Sequence, residues 1–164
     1  MDAHDGLNVH ADPAQAQAAM RHALIERQNV GLAVVGGLIG AVIGAALWAV
    51  FTVVTGIKIG FMAIGVGWLV GKLAWSLGRG LSPVYGVLGA ILALIGCAAG
   101  NLVSACYFLS QAPDVELSFW QIIGTMNVKL FADLMKLTFQ PMDVLFYGFA
   151  LYEGYRFSFR RLMI

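Results

Sequence analysis

Hydrophobic and polar positions divide this chain into long apolar runs separated by short polar breaks. Val30 to Val54 is 25 residues without a single charge. Wound as a helix it reaches about 37 Å, enough to cross the ~30 Å hydrocarbon core of a bilayer with some tilt. Thr55-Gly56-Ile57-Lys58 predicts a tight turn. Ile59 to Leu77 is a second span, with Lys58 and Lys72 near its ends, where long side chains reach the interface. Gly78-Arg79-Gly80-Leu81-Ser82-Pro83 is a turn by composition. Val84 to Leu109 is a third span, ended by Gln111-Ala112-Pro113-Asp114.

The pattern then changes period. Between Ser118 and Gln140 the polar residues fall at Ser118, Gln121, Thr125, Lys129, Asp133, Lys136 and Gln140. Steps of three and four residues make one stripe on an α-helix, opposite Phe119, Ile123, Met126, Leu130, Leu134 and Leu137. Ser118 with Gln121 forms a capping box, and Pro141 closes the segment. The prediction is one amphipathic helix over 118–140, lying in the membrane interface or packed on the bundle with its stripe toward water.

Met142 to Phe159 is a fourth span, although it holds Asp143, Glu153 and Arg156. Its tyrosines give it an interfacial character, and a re-entrant or surface helix competes with a full crossing. Ahead of all the spans, residues 1–29 are polar and rich in alanine and glutamine. Asp12-Pro13-Ala14-Gln15 reads as a helix start, which predicts a short helix leading into the membrane behind poorly ordered residues 1–11. His4, His10 and His22 read as solvated side chains rather than a metal site.

Composition sharpens this picture. Of 164 residues 60% are apolar and 12% charged, about half the charged share of an ordinary soluble domain. Net charge is +1, which with no basic cluster outside the C-terminus argues against a nucleic-acid partner. The fold class is therefore an all-α integral membrane protein: three transmembrane helices, an amphipathic helix and a fourth span. Basic residues set its orientation. With four spans and the N-terminus inside, Arg21, Arg27, Lys72, Arg79, Arg156, Arg160 and Arg161 are cytoplasmic, and Lys58, Lys129 and Lys136 are outside.

Glycine is the strongest remaining signal. Gly36, Gly40 and Gly44 are spaced by four in the first span. Gly60, Gly67 and Gly71 fall on one stripe of the second, and Gly96 and Gly100 on one stripe of the third. Lipid supplies little hydrophobic drive between helices, so close backbone approach is how they associate. These ridges pack one protomer or join it to neighbours; spacing alone leaves both open. Cys97 and Cys106, nine residues apart, read as small buried hydrophobes rather than a disulfide or metal pair.

The segment Thr55-Gly56-Ile57-Lys58-Ile59-Gly60-Phe61-Met62-Ala63-Ile64-Gly65-Val66-Gly67-Trp68-Leu69-Val70-Gly71-Lys72 resembles one found in a poorly characterised family of small bacterial multi-pass inner-membrane proteins. The closing run from Asp143 to Arg156 is similar to their C-terminal segment. The resemblance covers roughly residues 30 to 160. It implies a bacterial inner-membrane location and brings no activity with it.

Catalysis is disfavoured by subtraction. No histidine follows His22, and there is no H-E-x-x-H, Walker loop or set of zinc ligands. Asp143 and Glu153 stand about 15 Å apart along one helix, too far to share a proton. Glu153 with Arg156 reads as an i,i+3 ion pair, or as a proton or ion site. The expectation is a non-enzymatic protein without cofactor or metal, partnered by lipid and by copies of itself or other membrane subunits. The alternative is a small oligomeric channel or transporter whose polar stripe from Ser118 to Gln140, with the charges Lys129, Asp133 and Lys136, lines a water path.

Overall fold

A computed structural model describes residues 13–57 and 60–160. The expected order of residues 1–11, the Asp12 cap, and the positions of Lys58 and Arg161 lie outside these. Every regular element among the described residues is an α-helix. They are α1 Pro13–Glu26, α2 Val30–Thr55, α3 Met62–Gly78, α4 Pro83–Ser110, α5 Phe119–Gly124, α6 Val128–Thr138 and α7 Pro141–Phe157.

Each boundary has a local cause. Asn29 caps α2 by accepting from the Leu32 amide at 3.0 Å. Gly56, at φ 67°, ends α2 in the left-handed region and donates its amide to Thr52 O. At the end of α3 the same conformation falls on Arg79, at φ 50°, rather than on either flanking glycine. Gly78 and Gly80 are held by contact instead: a Cβ on Gly78 would enter Ala33, and one on Gly80 the Tyr85 ring.

The long helices form a four-helix bundle in the ring order α2, α3, α7, α4, with α3 and α4 also in contact across the middle. α2 meets α3 antiparallel, and α3 runs parallel to α7. At one end, the Arg79 end, hydrogen bonds tie the loops together. Asn29 N donates to Gly78 O at 3.0 Å, Leu81 N to Gln28 Oε1 at 3.1 Å, and Arg160 N to Gly80 O at 3.1 Å. The main core is built from all four helices: Ala41, Trp48, Ala63, Val66, Val70, Leu92, Ala93, Cys97 and Ala150. A separate cluster of Cys106, Ile122 and Leu134 fixes α5 and α6 onto α4 at the other, Thr55 end.

Two helices, α2 with 26 residues and α4 with 28, are long and apolar enough to cross a membrane. α3 is apolar but has 17 residues, two fewer than the 59–77 span, because Gly60 and Phe61 form a turn. The segment read as one amphipathic helix is two. Thr125 turns its Oγ1 back to Gln121 O at 3.0 Å, and Asn127 starts a new helix by accepting from Leu130 N at 2.8 Å. The break shifts the helical phase. Ile122 rather than Ile123 is buried, and Leu137 is 83% exposed while its neighbour Thr138 turns inward.

Candidate functional site

The glycines singled out by spacing all sit at contacts within this one chain. A Cβ on Gly40 would lie 2.8 Å from Val70 Cα, and one on Gly44 would lie 3.0 Å from Val66 Cγ1. One on Gly36 would strike the Leu73 carbonyl. These three join α2 to α3. Gly67 and Gly71 open α3 to α7, with Ala150 O at 2.6 Å and Phe157 Cβ at 2.8 Å from the virtual methyl carbons, and Gly60 accommodates the Phe146 ring. Gly96 admits Ala41, and Gly100 admits Trp48, so α4 lies close against α2. Gly89 and Gly154, outside the spaced sets, do the same for α4 and α7, where a Cβ on Gly154 would lie 2.7 Å from Gly89 O. Neither lies four residues from another glycine, so spacing did not mark them.

The charged candidates are dispersed. Lys129, Asp133 and Lys136 are all exposed on α6. Glu153 is half-buried where its backbone carbonyl faces Gly71. Among the described residues it makes no ion pair with Arg156, which departs from the i,i+3 expectation. Arg156 turns instead to the rings of Tyr152 and Phe157, at 5.9 and 5.7 Å from their centroids. Attraction to two ring faces and access to water favour this placement of the exposed guanidinium.

The polar feature that the structure does assemble is a cleft of about 230 Å³ at the Thr55 end, between α2, α4 and the α6–α7 junction. Thr52, Asn101, Ser104, Thr138 and Gln140 line it. Asn101, 3% exposed, donates through Nδ2 to Thr138 Oγ1 at 3.3 Å and so docks the end of α6 on the bundle. Ser104 returns its hydroxyl to Gly100 O at 2.8 Å. Thr52 Oγ1 is buried with no hydrogen-bond partner, and so are Trp48 Nε1 and Tyr147 OH deeper in the same region. The Trp48 and Tyr147 rings meet edge to face at 6.5 Å.

Unpaired buried donors are costly, so Thr52 in the cleft wall marks a place where water or a solute completes the bonding. Sequence reasoning passed over this site. Its one available signal was Asn101, the sole asparagine inside a predicted span. Asp143, also buried, accepts from Gln140 N at 2.9 Å and anchors the start of α7 beside it.

No family model, no curated protein and no solved structure matches this chain. The functional reading therefore stands on geometry.

Proposed function

We propose that this chain is a non-enzymatic four-span protein of the bacterial inner membrane, with both termini cytoplasmic, that works by association as a homo-oligomer or an accessory subunit. The outward faces of all four bundle helices support four spans: Val42, Val50, Trp68, Val87, Ile91, Val144 and Phe149 are exposed. In water that surface would aggregate; in lipid it is solvated. At 17 residues, α3 and α7 sit at the short limit for a crossing, about 25 Å each. The Arg79 end gathers Arg27, Lys72, Arg79, Arg156 and Arg160, which favours that end as the cytoplasmic one.

The observation that carries association is α1. It has 14 residues, touches no other helix, and leaves Met20, Leu24 and Ile25 exposed. An isolated helix of this length is marginal in water, so a partner surface is what would hold it. Ala18→Pro breaks α1 without touching the bundle. In mild detergent the wild-type particle should exceed the 17.6 kDa polypeptide in protein mass, or carry co-purifying subunits, and Ala18→Pro should reduce it to a monomer of unchanged melting temperature. A wild type that is already monomeric and alone defeats the reading.

Topology has its own test. Cys97 and Cys106 are buried and free, so background labelling is low. Cysteines introduced at Ser82 and at Ala14 should be labelled only from the cytoplasmic side, and one at Gln111 only from outside. Labelling of Ser82→Cys from outside inverts the orientation.

The cleft at Asn101 favours a second reading, a carrier or conduit for small solutes. Liposome flux separates the two. A conduit loses flux in Asn101→Leu and keeps it in Asp133→Asn, whose carboxylate is exposed and away from the cleft lining. Absence of flux in the wild type leaves association alone.

A further inference from the structure

The Arg79 end carries a second feature that association does not use. Trp75, in the last turn of α3, has two cations against one indole. The Arg160 guanidinium carbon lies 4.2 Å from its ring centroid and Lys72 Nζ 5.8 Å. A guanidinium held over a ring face uses its π surface and keeps its in-plane N–H donors available. Among the described residues the Arg160 side chain makes no hydrogen bond or ion pair. One turn back on α7, Arg156 rests on Tyr152 and Phe157, with Nη1 3.5 Å from Tyr152 OH. Phe157 packs on Gly71, the residue before Lys72, and Arg156 rests on that same ring, which brings Arg156 to the α3–α7 seam where Lys72 and Arg160 meet Trp75. A cleft of about 310 Å³ lined by Tyr152, Tyr155, Arg156 and Phe159 opens on the α4 flank of Arg156, where Tyr155 and Phe159 meet Gly86.

Three cations brought together on aromatic faces repel one another unless an anion joins them. Among the described residues the acids at this end are Glu153, half-buried and unpaired with Arg156, and Glu26, on the detached α1. The exposed flank of the same seam is apolar, with Trp68 and Phe149 toward mid-membrane. An anion with two long hydrocarbon chains matches both halves: phosphate against the cations, acyl chains along the flank.

We propose that this seam binds an anionic phospholipid, its phosphodiester held by Arg160, Lys72 and Arg156. The site rests on the four-span reading, because only that places the Arg79 end at a headgroup layer. The test uses the full chain in nanodiscs of phosphatidylcholine doped with phosphatidylglycerol of the same acyl chains, reading melting temperature and lipid retained on native mass spectrometry. Phosphatidylglycerol should raise the melting temperature and stay bound, while added phosphatidylcholine and inorganic phosphate should do neither.

Each basic residue near an anionic lipid strengthens binding about fivefold, so Arg156→Gln with Arg160→Gln should weaken retention about 20-fold or more. Arg79→Gln, a cation at the same end outside the seam, should leave it near wild type. Lys72→Gln alters an exposed side chain only and serves if the double variant fails to fold; it should weaken retention about fivefold. Equal retention of both lipids, an equal loss in Arg79→Gln, or the full effect from inorganic phosphate alone each overturns the proposal. A chain that is folded in pure phosphatidylcholine but indifferent to phosphatidylglycerol refutes the lipid site and leaves the four spans standing. One that cannot be reconstituted at all refutes the four spans.

Discussion

Gly67→Leu should abolish the folded bundle. A Cβ at Gly67 would already lie 2.6 Å from Ala150 O and 2.9 Å from Ala150 Cα, and both are backbone atoms of α7 that no rotamer change can move. Even Gly67→Ala forces α3 and α7 apart, and overpacking of this kind costs about 1–3 kcal/mol. The comparison that isolates the cause is Gly65→Ala, two residues away on the same helix, where a new Cβ meets nothing within 4 Å. That change relieves the backbone entropy of glycine and should be neutral or stabilising by up to about 1 kcal/mol. Unfolding of the purified protein by denaturant in mixed micelles orders the three: Gly65→Ala at or above wild type, Gly67→Ala below it, Gly67→Leu without a cooperative transition. If Gly67→Leu melts like wild type, α3 and α7 are not in backbone contact.

Trp48 gives the second large effect. Its side chain is fully buried and joins α2 to Gly100 of α4 and Tyr147 of α7. Trp48→Ala removes the largest side chain of the core and should cost about 3–5 kcal/mol. Trp48→Phe keeps a ring in that space and deletes the one polar atom, Nε1–H, which has no partner. A lone buried donor is unfavourable by about 1–3 kcal/mol, and its removal offsets much of the lost packing. Trp48→Phe should therefore cost less than about 1.5 kcal/mol. A loss as large as that of the alanine variant means that Nε1 is bonded in the folded protein, to a solute or an ordered water.

The physical reason some elements were readable is that one constraint decides them. A charge-free run of 25 residues such as Val30–Val54 is too long for a strand and satisfies its backbone groups as a helix, and the Thr55-Gly56 turn ends it locally. The structure ends α2 at Thr55, with Gly56 in the left-handed region. The break between α5 and α6 was hidden because the polar stripe keeps its period across it. There the short side chains of Thr125 and Asn127 compete for backbone groups, which a pattern of apolar and polar positions does not register. The glycine ridges were visible, but which helix each ridge meets depends on the ring order of the bundle. Spacing within α2 carries no information about Leu73 or Val70. The cleft was hidden for the same reason: Thr52, Asn101 and Thr138 are far apart in sequence and meet only after four helices have packed.

The small cluster of Cys106, Ile122 and Leu134 stands apart from the main core, and α5 and α6 reach the bundle by way of α4 alone. Such an arrangement makes two cooperative units of unequal depth. The smaller can open while the larger stays shut, and the opening separates Thr138 from Asn101. Amide exchange should then be faster through 119–138 than through α2 or the middle of α4. The side chains uncovered in that open state are those of the polar cleft, so a solute could reach Asn101 on the timescale of a local fluctuation, with every contact among the four long helices intact.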